Sequence, residues 1–221
     1  MTKKTLRIKD KTRVAKIFKI LKATYPEVKI QLRHANPFQL LVATILSAQC
    51  TDKQVNDVTK ELFKKLRSPY DFASASNETI EELIRPTGYF RNKSKNIKNC
   101  SKSLLEIYDG QVPQTLDELV KLPGVGRKTA NVVLGSVFNI PGIVVDTHVA
   151  RISKRLGLTV NNNPVRIEYD LMEIIPRKEW NAFSLQLIYF GRAICKARKP
   201  LCPTCPLYDL CDFPDKISKP G

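Results

Sequence analysis

Acidic residues are scarce in this chain: 21 Asp and Glu stand against 37 Lys and Arg over 221 residues, a formal charge of +16. That imbalance suits a polyanionic partner, nucleic acid before any other. No apolar run approaches the roughly 20 residues of a membrane span, and no secretory signal opens the sequence. Binding to a membrane surface would call for exposed large apolars on an amphipathic helix or for a lipidation signal. The chain therefore reads as soluble and intracellular, with no membrane partner: cytoplasmic and nucleoid-associated in a prokaryote, nuclear or mitochondrial in a eukaryote. No stretch alternates polar and apolar residues for long, which excludes a sheet and leaves an all-α fold. Histidines number two, and a lone His148 is more often a packed residue than a ligand. The basic N-terminal segment is not serine-rich, which argues against a mitochondrial presequence. Hydrophobic residues are not lacking, and at 43% they exclude wholesale disorder.

The stretch that organises the rest is Leu122-Pro123-Gly124-Val125-Gly126-Arg127-Lys128-Thr129-Ala130. Thr115 and Glu118 before it read as a capping box, opening a short helix that runs to about Leu122. Pro123 stops that helix, and the glycines permit a tight turn. Ala130, Val133, Leu134 and Val137 then recur at helical spacing, so a second helix begins near Arg127. Amides at such a helix start suit a phosphate, which makes Gly124, Val125, Gly126 and Arg127 candidate DNA contacts. Lys128 lies in the first helical turn beside Arg127, where dipole and neighbouring cation both disfavour protonation. Two roles are open to it from this stretch alone, nucleophile or phosphate contact.

Elsewhere, Met1 to Lys22 carries nine Lys or Arg and the single acid Asp10. Val14, Ile17, Phe18 and Leu21 make this a basic amphipathic helix ending near Tyr25-Pro26. Asn36-Pro37 caps a helix that is apolar nearly all round to Leu46, and it ends in the polar tip Ser47-Ala48-Gln49-Cys50. Gln49 either satisfies loop amides or projects into a bound duplex. Thr51 or Asp52 caps the next helix. From Arg85 to Lys102 the chain has six cations and no acid, with Tyr89 and Phe90 among them. This reads as a phosphate-tracking edge with a stacking or wedging tip. After the apolar run of Ile143, Val144 and Val145 comes Asp146, a helix N-cap by pattern, and a cap can also face a cleft. Asn163-Pro164 opens a further helix.

Cys195, Cys202, Cys205 and Cys211 follow a C-x6-C-x2-C-x5-C spacing. Four thiols so close in a reducing compartment hold a metal or cluster rather than disulfides. Spacing alone does not choose the metal, although a compact loop after a helix suits an iron–sulfur cube better than zinc knuckles.

Together these residues resemble the endonuclease III family of helix-hairpin-helix DNA glycosylases. The resemblance runs from Asn36-Pro37 through Leu46–Gln49, Leu122–Ala130, Val145–His148 and Gly191-Arg192 to the four cysteines. It implies two helical domains flanking a DNA-binding cleft: a six-helix barrel over about 30–139, and a domain of 1–29 and 140–221 holding a [4Fe–4S] cluster on the four cysteines. It also implies a monomeric base excision repair enzyme that removes oxidised pyrimidines such as thymine glycol from duplex DNA and nicks the abasic site. Lys128 and Asp146 fall on the catalytic lysine and aspartate, Gln49 on the residue filling the space of the extruded nucleotide, and Tyr89 on the opposite-strand wedge. Relatives that excise bases from mismatches without strand cleavage lack this lysine. A non-catalytic iron–sulfur DNA sensor would need the hairpin and cysteines but not Lys128 with Asp146.

Overall fold

A computed structural model describes residues 10–218; the part of the N-terminal helix expected over residues 1–9 lies outside them. Eleven α-helices occur among the described residues, and no strand: α1 Lys11–Thr24, α2 Pro37–Leu46, α3 Asp52–Lys65, α4 Pro69–Ser74, α5 Asn77–Ile84, α6 Phe90–Tyr108, α7 Leu116–Leu119, α8 Arg127–Val137, α9 Thr147–Arg155, α10 Pro164–Ile174 and α11 Trp180–Ala193. None of them is long and apolar enough to cross a membrane. The chain falls into two compact units.

Ile30–Ile140 forms one unit. Its axis is α2, buried from Leu40 to Leu46 and packed against α3, α6 and α8. The Asn36 side chain accepts from the Gln39 amide and Pro37 occupies the first turn, so the helix starts where the sequence places it. Thr51 caps α3 in the same way, and Val55, Val58 and Leu62 face inward. Six helices are expected here, and the structure adds a seventh, α4. A two-sided Ser68–Asp71 capping box opens it, and Phe72 anchors it edge-on against Phe38 at 5.5 Å between ring centres. Helix α7 is shorter than expected. Thr115 accepts from the Glu118 amide, but Glu118 returns its carboxylate to the Thr115 hydroxyl, and the chain passes into turns after Leu119.

The second unit joins the described residues up to Lys29 with those from Pro141 onward. Val14, Ile17 and Leu21 of α1 are buried with Val149, Ile152, Phe183, Leu187 and Phe190. One cation of the basic helix does not belong to its solvated face. Arg13 is buried, and its guanidinium donates to the carbonyls of Leu156 at 2.8 Å, Leu210 at 3.0 Å and Gly157 at 3.2 Å, beside Asp212. It ties α1 to the end of α9 and to the chain around the last cysteine. Truncating it would leave two buried carbonyls and one part-buried carbonyl without this donor.

Candidate functional site

In the Ile30–Ile140 unit, Gln49 and Tyr89 share an unusual backbone. Both are non-glycine residues at positive φ, 53° and 49° respectively, and both are exposed. Such left-handed positions persist only where the surroundings hold them, and they concentrate at binding sites. Tyr89 precedes α6 with 64% of its surface exposed, so a large aromatic stands out from a turn. The neighbouring cations are not one continuous phosphate-tracking edge, and this corrects the sequence reading. Arg85, Arg91, Lys95 and Lys102 are exposed, whereas Lys98 donates to the Ala75 carbonyl at 2.7 Å and Lys93 is buried. Arg85 and Arg91 flank the Phe90 ring at 5.3 and 5.7 Å.

The hairpin is formed as its sequence requires. Gly124 sits at φ +77°, where a side chain would be strained, and a Cβ there would come within 2.8 Å of Asn96 Cβ on α6. Gly126 differs: it is extended at φ −89°, caps α8 without a side chain, and has open space where a Cβ would stand. Gly124→Ala should therefore destabilise the protein by about 2–4 kcal/mol, combining left-handed strain with overpacking. Gly126→Ala should change stability by no more than about 0.5 kcal/mol. Urea unfolding of the two variants checks this, and equal losses would refute the distinction. Val125 is buried beneath the turn, and Lys128 is exposed on the first turn of α8.

Asp146 and the cysteines belong to the other unit. Asp146 caps α9, its Oδ1 accepting from the Val149 amide at 2.8 Å, and the residue is half-buried. Two residues on, His148 packs so closely on α11 that a Cβ on Gly191 would lie 2.6 Å from its Nδ1. Burial lowers the His148 pKa, with Arg151 and Arg192 acting in the same direction against the pull of Asp146. Arg151 lies 3.2 Å from the same ring nitrogen and donates to the Cys195 carbonyl at 2.9 Å. Arginine has only donors, so a hydrogen bond between the two requires the neutral tautomer with Nδ1 as acceptor.

Cys195, Cys202, Cys205 and Cys211 line one cavity and form no disulfide. Arg155 donates to Cys195 Sγ at 3.3 Å and to the carbonyls of Lys196 and Ala197 at 2.8 and 3.1 Å. Burial pushes the Cys205 thiol up to about 11 against a bond from the Leu207 amide, and the other three cysteines add to the rise. Cys211 is raised by burial too, opposed by the Phe213 amide. Thiolates crowded in this way need a cationic centre to compensate them, and amide and guanidinium donors to sulfur suit a cluster. The donor set fits iron–sulfur ligation. Arg13, Lys93, Arg151 and Arg155 have no local sequence signal, because each donates to at least one main-chain carbonyl distant in sequence.

Comparison with known proteins agrees with this geometry. Residues 42–177 match the family model of the HhH-GPD superfamily base excision DNA repair proteins, and residues 195–211 match the iron-sulfur binding domain of endonuclease III. Endonuclease III of Synechocystis is 54% identical over 91% of this chain and 92% of its own length. That of Bacillus subtilis is 48% identical over 89% and 90%. A solved endonuclease III in non-covalent complex with DNA superposes with a TM-score of 0.88 at 48% identity, covering 91% of this chain and 94% of that one. A trapped covalent endonuclease III–DNA intermediate gives 0.89, again at 48% identity, covering 91% and 95%. The chain belongs to the endonuclease III family, the base excision repair DNA glycosylases and AP lyases that carry a [4Fe–4S] cluster.

Proposed function

We propose that this enzyme acts as a monomer on duplex DNA containing oxidised pyrimidines such as thymine glycol, with Lys128 as its nucleophile. The observation that carries the reading is an exposed lysine on the first turn of the helix that follows the Pro-Gly-x-Gly turn. A base inside a duplex is out of reach, so the damaged nucleotide must leave the stack, at an unstacking cost of a few kcal/mol that damage lowers. Gln49 would take its place and Tyr89 would wedge the opposite strand. The neutral Lys128 amine attacks C1′, the N-glycosidic bond breaks, and the departing base takes up a proton. The amine loses its protons as the sugar ring opens to a Schiff base. Abstraction of a C2′ proton then expels the 3′ phosphate, and hydrolysis of the imine returns the lysine. Asp146 would stabilise positive charge developing on the sugar and assist deprotonation of the amine.

Cys195, Cys202, Cys205 and Cys211 would hold the cluster, and what it supplies when bound is order in the loop between them. That loop exposes Lys196, Arg198 and Lys199, the last at φ 50°. Each phosphate contact contributes about 0.9 to the slope of log affinity against log salt. Neutralising all three cations should lower that slope by about 2–3, and an unchanged slope would remove the loop from the DNA footprint.

The test of the whole reading is borohydride trapping on a duplex bearing one thymine glycol. A covalent protein–DNA band with strand cleavage at the lesion is expected. Base release without a band would indicate a monofunctional glycosylase, with Lys128 a phosphate contact.

A further inference from the structure

Lys93 is the most deeply buried lysine among the described residues, 4% exposed, and neither of its hydrogen bonds goes to a carboxylate. Its Nζ donates to the Leu46 carbonyl at 2.8 Å and to the Thr87 carbonyl at 2.8 Å. Leu46 ends α2, three residues before Gln49, and its carbonyl is one of the four that a helix end leaves without an intrahelical partner. Thr87 is followed by Gly88 at φ 68° and Tyr89 at φ 49°. The two strained, exposed tips therefore hang from carbonyls that share a single donor. Lys93 itself stands one turn into α6, its amide bonded to the Tyr89 carbonyl at 3.1 Å. Burying an ammonium group costs free energy even when it is hydrogen-bonded. A water or a neutral side chain could serve either carbonyl alone. One cation serving both makes the turns a single body.

We propose that Lys93 is a positioning residue that locks the Gln49 and Tyr89 turns together, so that the two side chains enter a damaged duplex in fixed register. This rests on the reading of those tips given above. The lysine touches neither substrate nor Lys128 chemistry; its effect passes through the separation and orientation of the two turns. Insertion into a duplex should depend on it, and chemistry on DNA that needs no insertion should not.

The experiment compares Lys93→Met in two backgrounds, the native chain and the Gln49→Ala/Tyr89→Ala double variant. In the native background, single-turnover base release from a thymine glycol duplex should fall by about 10- to 100-fold, the scale of a misplacement of about 1 Å. Cleavage of an abasic site in single-stranded DNA should change by less than about twofold. In the double variant, Lys93→Met should add less than about twofold, because the turns it positions have lost their working side chains. The fluorescence rise of 2-aminopurine opposite the lesion, which reports unstacking, should be lost in native-background Lys93→Met. Equal losses in both backgrounds, or a matching loss on single-stranded DNA, would show Lys93 to be general support and overturn the proposal. Failure of both Lys93→Met and Lys93→Gln to fold would overturn it in the same way. A double variant that releases base as fast as the native enzyme would instead refute the role given to the tips.

Discussion

Lys128→Ala should abolish the borohydride-trapped band and reduce strand cleavage at an abasic site by at least about a thousandfold, or about 4 kcal/mol of transition-state stabilisation. On the proposed mechanism the loss is large because no other group at this point on α8 can form a Schiff base. Arg127 beside it is never a neutral amine, and Thr129 is a hydroxyl that cannot give an imine. The fold should be indifferent to the change. Lys128 is exposed on a helix where alanine is a favourable residue, so stabilities should agree within about 0.5 kcal/mol. Duplex binding should weaken only modestly, through the loss of one cation. Quantifying the trapped band, the cleavage rate and the melting curve on one preparation separates these effects. A surviving band of native intensity would mean that another amine is the nucleophile.

Which features could be read in the sequence follows from how far each one reaches along the chain. Caps are local, and the caps expected at Asn36, Thr51, Thr115, Asp146 and Asn163 all accept from the amide two or three residues on. The four cysteines announce themselves by spacing, and the hairpin by Pro123 with Gly124. Helix α4 escaped because six residues are too few to show a period, although Ser68, Pro69 and Asp71 hold its capping signal in plain view. The buried cations could not be found at all. Arg13 and Lys93 sit in runs of like charge whose usual fate is solvation, and what buries them is a set of main-chain carbonyls. For Arg13 those carbonyls lie as far as 197 residues away. The left-handed conformations of Gln49 and Tyr89 were equally hidden, since neither residue type favours positive φ strongly enough to be marked by it.

Asp146→Asn should lower kcat for base release about 100- to 1000-fold while leaving the protein as stable as the native one. The two halves of this expectation come from two roles of one carboxylate. As a cap it accepts from the Val149 amide through Oδ1, and an asparagine carbonyl oxygen fills that role about equally well. On the proposed mechanism it is also a negative charge near a developing cation on the sugar, a role that has no neutral substitute. Asp146→Ala removes both, so it should match the asparagine variant in activity and lose about 1 kcal/mol of stability besides. Measuring both variants is what makes the test decisive. Were Asp146→Asn fully active and Asp146→Ala impaired only in stability, the residue would be a helix cap and nothing more. The capping bond also explains how a half-buried carboxylate can be held in one orientation before substrate arrives: the helix that it starts fixes it in place. An asparagine variant with native stability and almost no turnover would show that the charge, rather than the shape, is what the reaction uses.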